Sequence, residues 1–252
     1  MKRLVIDGDL IAYAIAYVKE SNESVDIEYL LNSKIRRIFN KLNTNLGKVF
    51  ISGIEKQLCY RHSIATIQEY KGNRDKNNRP KYINEVKRCM LSMGAISIND
   101  DLEVDDYLAI EQNKDPNNII ICSLDKDLKM IKGDHYDWNT DRLFSISKIE
   151  AYRHFFTQLL TGDRIDNIKG LSEKRPKRGI GLKRALKLLS PCHSYREMLS
   201  VVKDKYHLKY GDTYSYKHWK TGKIINTNST EILLENANLL WIKRTIEDYW
   251  CL

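Results

Sequence analysis

The sequence lacks the features of secreted, membrane-spanning and zinc-binding proteins. Its five cysteines are odd in number, widely spaced and without a C-x-x-C pair, which favours a reducing compartment. No run of about 18 apolar residues occurs, and MKRLVIDGD at the N-terminus has an aspartate where a signal peptide would have its apolar stretch. The six histidines show no zinc-ligand spacing. These absences predict a cytoplasmic protein without a membrane span. No organic cofactor is expected.

Acidic residues are fewer than basic residues in this sequence. The 252 residues include 42 Lys and Arg against 33 Asp and Glu, which gives a formal net charge of +9. A basic chain favours a polyanionic partner, most often nucleic acid. The length predicts about one α/β domain with a smaller appended lobe.

Short apolar runs alternate with helical patterns over the first 150 residues. Segment 27–42 has apolar residues at helical spacing, and segments 81–93 and 104–111 also favour helices. This alternation is typical of β-α-β units, whose strands are parallel. The predicted fold class is therefore α/β, with a mostly parallel central sheet flanked by helices. The predicted strands are 3–6, 48–52 and 118–123.

After about residue 150 the pattern favours helices without strong strands. The predicted helices are 149–160, 182–189 and 231–250. We therefore predict an α/β core over 1–150 and a helical lobe over 151–252. The most polar internal stretch, 70–81, is expected to be a loop or a mobile segment.

Acidic side chains form four separated groups, several of them directly after predicted strands. Because ligands bind at the carboxyl ends of parallel strands, folding could bring these groups to one edge of the sheet. Close carboxylates need cations, and hard oxygen ligands suit Mg²⁺ or Mn²⁺. The candidate metal ligands are Asp7, Glu103, Asp105, Asp106, Asp125, Asp127, Asp163 and Asp166.

Each acidic pair taken alone has an ordinary explanation, because aspartate favours helix N-caps and turns. Four such groups in a basic chain favour a site for two metal ions, which would stabilise the attacking and leaving oxygens of phosphodiester hydrolysis. Asp9 is a weaker candidate, expected to face solvent two residues after Asp7. Asp100 and Asp101 resemble ordinary turn acids.

Two basic elements are candidates for phosphate binding. In the first, Gly179, Ile180 and Gly181 open a predicted helix, where exposed amides can hold a phosphate, although a plain helix cap explains the same pattern. Lys183 and Arg184 add charge there. The second element lies in YKGNR, where basic residues could neutralise a phosphodiester and an aromatic ring could stack on a base. Its candidate residues are Tyr70, Lys71 and Arg74.

Segment 206–223 interleaves Tyr, Trp, His and Lys. This composition is compatible with nucleic-acid contact. Packing in a surface hairpin or helix is the favoured interpretation.

These motifs, taken in order, resemble those of the 5′-nuclease superfamily of flap endonucleases and 5′–3′ exonucleases. The matching segments are VIDGD, YKGNR, LEVDD, SLDKD and GDRIDNIKG followed by GIGLKRA, within residues 1–190. The compact chain is similar to bacteriophage members. The resemblance implies a PIN-like core and a helix-hairpin-helix-like (H3TH) DNA-binding motif. It further implies a monomer that acts on DNA, in the host cytoplasm if the chain is phage-encoded.

The implied activity is Mg²⁺-dependent cleavage of 5′ flaps or 5′ ends of DNA in replication or repair. The first metal site would use the acids up to Asp106, and the second site or its bound waters would use the acids from Asp125 onward. Lys71 and Arg74 would be catalytic, at the base of an arch over about 70–90 through which single-stranded DNA threads. The Gly-x-Gly turn at 179–181 would hold duplex phosphates, commonly with a K⁺ ion.

Two departures from the family pattern stand out. An aspartate usually follows the second strand, whereas this chain reads Ser52-Gly53-Ile54-Glu55, so Glu55 would substitute or the ligand would be missing. The connection 171–178 is longer and more basic than usual. Three alternatives stay open on sequence grounds: a haloacid-dehalogenase-like phosphohydrolase, a PIN-type ribonuclease, and a catalytically weak or silent protein that binds branched DNA.

Overall fold

The computed structural model describes residues 1–55, 58–75, 78–171 and 179–252. The chain forms two compact units. Unit 1 contains residues 1–59, 75–146 and 242–247, and unit 2 contains 60–74, 147–241 and 248–252. The main change of unit, between Ile146 and Ser147, lies close to the boundary expected at 150. Two short segments depart from this division along the sequence. Residues 60–74 belong to unit 2, and residues 242–247 belong to unit 1.

Unit 1 is built on a six-stranded sheet, of which the sequence patterns predicted three strands. The strands are β1 (Arg3–Asp7), β2 (Gly47–Ser52), β3 (Ile96–Ile98), β4 (Ile119–Cys122), β5 (Gly133–Asp137) and β6 (Arg142–Ile146). Their order is β3-β2-β1-β4-β5-β6, and all neighbours are parallel except β5 and β6. The mostly parallel α/β fold is therefore confirmed. The antiparallel β5–β6 pair was not predicted.

The helices, numbered along the chain, follow the sequence patterns in part. The helices are α1 (Gly8–Ser21), α2 (Ile27–Lys41), α3 (Arg61–Ile64), α4 (Ile83–Ser92), α5 (Val104–Lys114), α6 (Lys148–Thr161), α7 (Leu182–Leu189), α8 (Tyr195–Tyr210) and α9 (Ser229–Leu240). Helices α2, α4, α5, α6 and α7 correspond to predicted segments, whereas α1, α3 and α8 were missed. None of the helices in the described ranges is long and apolar enough to cross a membrane.

The central strands of the sheet, β1 and β4, lie in the core of unit 1. Every residue of β4 is buried, as are the last four of β1, so both strands are covered on both faces. Helix α1 lies against β2 at very short range. A Cβ on Gly8 would come within 2.5 Å of Ile51 Cγ2 and 2.7 Å of the Phe50 carbonyl oxygen. Glycine at position 8 therefore permits the direct passage from β1 into α1.

Unit 2 is mainly helical, with one antiparallel hairpin that the sequence patterns did not predict. The hairpin strands are β7 (Tyr214–Lys217) and β8 (Ile224–Thr227). Phe155, Phe156 and Tyr206 are fully buried, and the Tyr206 hydroxyl donates to the Leu159 carbonyl at 2.8 Å. The unit therefore has its own core.

The C-terminal helix is shorter than the predicted 231–250. Helix α9 ends at Leu240 because Trp241 has an extended backbone, with φ −68° and ψ 121°. The guanidinium of buried Arg61 donates to the Leu239 carbonyl at 3.1 Å and to the Trp241 carbonyl at 2.6 Å. This arginine thus satisfies carbonyl groups that a helix end leaves without an intrahelical partner.

Candidate active site

The first candidate ligand, Asp7, lies at the carboxyl end of β1 and is 3% exposed. It is also the N-cap of α1, since Oδ1 accepts from the Leu10 amide at 3.2 Å. Its Oδ2 accepts from the Ser123 hydroxyl at 2.8 Å. Both oxygens of Asp7 are therefore oriented by hydrogen bonds within unit 1.

Ser123 links Asp7 to the acidic segment after β4. The Asp125 amide donates to Ser123 Oγ at 3.0 Å, and the Asp127 amide donates to Asp125 Oδ1 at 2.8 Å. Lys126 Nζ lies 3.2 Å from Asp127 Oδ1. The sequence analysis did not single out Ser123, although it stands within the SLDKD motif two residues before Asp125. The parallel pairing of β1 and β4 thus brings together two of the predicted acidic groups.

Burial and neighbouring negative charge act together on Asp7. Burial is the main cause that raises the pKa of Asp7 to about 7, followed by the carboxylate of Asp9, with a smaller contribution from Asp125. Hydrogen bonds from Ser123 and Leu10 act in the opposite direction. A carboxyl group in this position gains from a nearby cation, because a cation stabilises its charged form.

Asp9, expected to face solvent, instead makes a specific ion pair. Its Oδ1 accepts from Lys87 Nζ at 2.8 Å and from the Ser52 amide at 3.1 Å. Lys87 is 4% exposed and also donates to the carbonyl and hydroxyl oxygens of Ser52. The acid two residues after Asp7 is thus held at the end of β2. The expectation of a solvent-facing Asp9 was wrong, because α4 supplies a buried partner.

The LEVDD group is placed at the start of α5. Glu103 is the N-cap of this helix, and Asp105 and Asp106 lie in its first turn. Asp106 is fully buried, with Oδ2 accepting from the Glu103 amide and Oδ1 from the Lys243 amide, both at 2.9 Å. Asp106 therefore contributes to helix capping and to fixing the segment after α9, which is the ordinary role expected of aspartate at a helix start.

The donor chemistry of unit 1 suits a hard divalent cation. Asp7 and Asp125 offer carboxylate oxygens at the ends of adjacent strands, where burial and, to a smaller extent, the neighbouring acids raise the pKa of Asp7. In the described ranges, no group of three or more His, Cys, Asp or Glu side chains is arranged to hold a metal ion. The residues fit such an ion by oxygen type and by charge, and the assignment of a complete ligand set stays a prediction.

Asp163 stabilises a tight turn in unit 2. Its Oδ1 accepts from the Ile165 amide at 2.6 Å and from the Asp166 amide at 3.1 Å. The Asp163 and Ile168 backbones pair with each other at 2.8 and 2.7 Å. Gly162 enters the turn at φ +72°, and a Cβ there would lie 2.2 Å from the Ile168 carbonyl oxygen. The GDRIDNIKG motif is therefore a closed loop that only glycine at position 162 permits.

Asp166 is the meeting point of the second candidate element. Its Oδ1 accepts from Arg74 Nη2 at 2.7 Å, and its Oδ2 accepts from the Tyr70 hydroxyl at 2.9 Å. Lys71 Nζ lies 3.9 Å from Oδ2. The structure thus brings Tyr70, Lys71 and Arg74 together on one carboxylate. The sequence analysis predicts Asp166 as a metal ligand.

The arch expected over about 70–90 divides between different parts of the chain. Residues 70–74 belong to unit 2, whereas 78–82 lie against α1 and the segment after it. The Tyr17 hydroxyl donates to the Asn78 carbonyl at 2.8 Å, Lys81 Nζ lies 3.2 Å from Glu23 Oε1, and Tyr82 donates to the same carboxylate. Helix α4 then begins at Ile83. Residues 76–77 lie outside the described residues, and the arch stays a prediction.

The Gly-x-Gly turn stands at the start of α7, as predicted. Gly181 is the N-cap without a side-chain hydrogen bond, and no atom of the described residues lies within 4 Å of the position where its Cβ would be. Ile180 is buried, and Lys183 and Arg184 are exposed. The helix after the turn therefore carries positive charge at its start. Its proposed role in phosphate binding stays a prediction.

The remaining sequence predictions have different outcomes. Glu55, the suggested substitute for the missing aspartate, is exposed. The basic connection 171–178 lies, apart from Leu171, outside the described residues.

In segment 206–223, the Tyr210 hydroxyl donates to the Gly170 carbonyl at 3.3 Å, and Trp219 Nε1 donates to the Ala65 carbonyl at 2.8 Å. These aromatic residues therefore pack within unit 2, in agreement with the favoured interpretation. The five cysteines all lie within the described ranges, and none of them forms a disulfide there.

Comparison with known proteins yields structural likeness without close sequence relatives. No protein-family model and no curated protein matches this sequence. A structure of the bacteriophage T5 flap endonuclease with DNA and metal ions aligns over 95% of this chain and 89% of its own, with a TM-score of 0.65 and 15% identity. The T5 5′-exonuclease with bound zinc ions aligns over 95% and 89%, with a TM-score of 0.60 and 14% identity.

At such low identity, the likeness concerns the fold. It extends over nearly the whole length of both chains. The chain therefore has the fold of the 5′ nucleases, as represented by the flap endonuclease of bacteriophage T5.

Proposed function

We propose that this protein is a divalent-metal-dependent 5′ nuclease that hydrolyses DNA phosphodiesters at 5′ flaps or 5′ ends. The observation that carries the proposal is the hydrogen-bonded series from Asp7 through Ser123 to Asp125, at the carboxyl ends of β1 and β4. In a basic chain with a 5′-nuclease fold, this is the position for a metal-dependent reaction on a phosphate. The fold likeness favours this function over a haloacid-dehalogenase-like phosphohydrolase.

Asp7 and Asp125 would hold a divalent ion, and Mg²⁺ is the expected ion because its ligands are oxygen atoms. Such an ion supplies charge stabilisation and an activated water when it is bound. The protein's own contribution is to fix the carboxylates, since Ser123 donates to Asp7 and accepts from the Asp125 amide. The further ligands expected from the resemblance are Glu103, Asp105, Asp106, Asp127, Asp163 and Asp166, with K⁺ at the turn of α7.

In unit 2, the side chains of Lys71 and Arg74 would stabilise negative charge on the DNA phosphate. The guanidinium of Arg74 is about half exposed and can reach a ligand from its place on Asp166. The start of α7, with Lys183 and Arg184, would bind duplex phosphates. A role in replication or repair follows from the proposed substrate.

A second candidate is a catalytically silent protein that binds branched DNA. It is favoured by one observation, namely that the described residues contain no ready group of three metal-binding side chains. Both candidates predict binding to forked DNA, and they differ in cleavage.

The test uses a 5′-labelled flap, a nicked duplex and a single strand, each incubated with and without Mg²⁺. We expect metal-dependent cleavage of the flap or of the 5′ end, with product lengths that give the polarity. Asp125→Asn should abolish cleavage while leaving the fold and DNA binding intact. Full activity of that variant would refute the metal assignment, and binding without cleavage over a range of Mg²⁺ and Mn²⁺ would favour the silent DNA-binding protein.

A further inference from the structure

The carboxylate of Asp166 is occupied by side chains of the YKGNR segment. We propose that Asp166 is a positioning residue that orients Lys71 and Arg74 for the DNA phosphate, and that it does not ligate a metal ion in this protein. This inference rests on the proposed nuclease function. It changes the role that the family resemblance implies for Asp166.

The first argument is the use of both carboxylate oxygens. Arg74 Nη2 donates to Oδ1 at 2.7 Å, a short charge-assisted hydrogen bond, and the Tyr70 hydroxyl donates to Oδ2 at 2.9 Å. Lys71 Nζ lies 3.9 Å from Oδ2. A metal ion at either oxygen would compete with a cation or with the hydroxyl of Tyr70, a residue that is only 2% exposed.

The second argument is that backbone contacts fasten the same two loops to each other. The Lys71 amide donates to the Asp166 carbonyl at 3.0 Å, and Asn73 Nδ2 donates to the Arg164 carbonyl at 2.6 Å. A third hydrogen bond has its donor in the GDRIDN loop, where Asn167 Nδ2 donates to the Glu69 carbonyl at 2.8 Å. Side-chain and backbone contacts therefore hold the YKGNR segment on the GDRIDN loop as one body within unit 2.

The third argument is backbone strain at this junction. Lys71 has φ +56° and Asn167 has φ +59°, values in the left-handed region that non-glycine residues rarely adopt. Strain of this kind persists where surrounding contacts over-determine the conformation, and it is concentrated at functional sites. Here the contacts with Asp166 supply that constraint, so the direction of the Lys71 side chain depends on the Asp166 loop.

The consequence is a basic pair that is oriented before DNA arrives. Orienting charged groups in advance lowers the entropy lost in the transition state, and a displacement of about 1 Å can cost on the order of a hundredfold in rate. Asp166 also carries negative charge next to these cations, which weakens their attraction for a phosphate. Loss of that charge should therefore strengthen DNA binding and slow cleavage.

The test compares Asp166→Asn with wild type and with Asp7→Asn, and it uses Asp212→Asn as the matched control. Asp212 is an acid of the same unit whose side chain is 92% exposed. Three quantities are measured: Mn²⁺ affinity by calorimetry, affinity for a 5′ flap DNA in the absence of metal, and kcat for the flap with Mg²⁺.

For Asp166→Asn we expect Mn²⁺ affinity within about twofold of wild type, flap affinity raised a few-fold, and kcat lowered by about tenfold to a hundredfold. Asp7→Asn should lose Mn²⁺ affinity, and Asp212→Asn should match wild type in all three quantities. Replacing a metal ligand or a merely structural residue would not lower kcat and raise the affinity for flap DNA at the same time.

A tenfold or greater loss of Mn²⁺ affinity in Asp166→Asn, or an unchanged kcat, would overturn the inference. If Asp166→Asn fails to fold, the double variant Asp166→Asn with Arg74→Gln removes both charges of the pair. Its kcat should be no lower than that of Arg74→Gln alone, because the two residues act as one unit, and an added loss would count against the inference. A wild type that binds Mn²⁺ without cutting DNA would refute the proposed function, and the Mn²⁺ affinity of Asp166→Asn would still test Asp166.

Discussion

The side-chain amine of Lys87 lies 2.8 Å from Oδ1 of Asp9, with the Lys87 side chain only 5% exposed. Its two other hydrogen bonds go to the carbonyl and hydroxyl oxygens of Ser52, so each of its three donors has an acceptor. Helix α4 thereby holds an acid of α1 at the carboxyl end of β2. This is the strand after which the 5′-nuclease pattern has an aspartate that the present sequence lacks.

We expect the two partners of this pair to contribute unequally to stability. Asp9→Asn leaves a buried ammonium group without its counter-charge and should lower the free energy of unfolding by about 3–5 kcal/mol. Lys87→Met leaves Asp9, a quarter exposed, and should cost about 1–3 kcal/mol. The double variant should lie within about 1 kcal/mol of wild type, because no buried charge remains. Urea unfolding measures all three, and a double variant whose loss equals the sum of the single losses would contradict this coupling.

Asp7 should make stability depend on pH. Its pKa is raised from 3.8 to about 7, so the folded protein binds more protons than the unfolded chain between these values. The free energy of unfolding should therefore fall as pH rises from 4 to 7, by up to about 1.4 kcal/mol per pH unit.

In Asp7→Asn this part of the pH dependence should disappear, while the N-cap of α1 is kept because asparagine also caps helices. The variant should thus be more stable than wild type at pH 8 without divalent ions. Mg²⁺ should raise the melting temperature of wild type more than that of the variant, because binding to the folded state stabilises it. Parallel stability curves for the two proteins from pH 4 to 8 would exclude this role of Asp7.

Gly162 and Gly211 form a matched pair for testing the loop that carries Asp163 and Asp166. Both have positive φ, +72° and +65°, but only Gly162 has backbone atoms within 4 Å of the position of a Cβ. Gly211→Ala should cost about 1 kcal/mol from its backbone conformation. Gly162→Ala should cost clearly more, about 2 kcal/mol or above, because the Ile168 carbonyl must also move. Equal losses in thermal unfolding would show that the loop adapts to the added methyl group.

The sequence predicted most of unit 1 and less of unit 2. Strands β1, β2 and β4 were found because strands buried on both faces are continuous apolar runs. Helix α1 was missed although Asp7 is an N-cap and Ile11 and Ile15 have helical spacing, because the glycine and aspartate after β1 suggested a loop. The β7–β8 hairpin alternates half-buried and exposed residues, which is a weak pattern in a polar segment.

The sequence identified the acidic residues of the candidate site but not their hydrogen-bond and ion-pair partners. The acids were identified by their places after strands and at helix starts, and Asp7 and Asp125 do lie at the ends of neighbouring strands. Ser123 and Lys87 were not identified, since a serine or lysine in a helix or loop has no distinctive spacing. The cations beside Asp9 and Asp166 were not identified, because they lie far away in the sequence, at Lys87 and at Lys71 and Arg74.

By itself, the sequence determined that strands β1, β2 and β4 belong to a parallel sheet, which acids follow β1 and β4, and that the chain is basic. These properties depend on residue type and on spacing within one element, so they can be read locally. Only the tertiary structure decided that Lys87 neutralises Asp9, that Ser123 connects Asp7 with Asp125, and that Asp166 holds the basic pair. Those contacts depend on strand order and helix packing, which join residues that local periodicity does not relate.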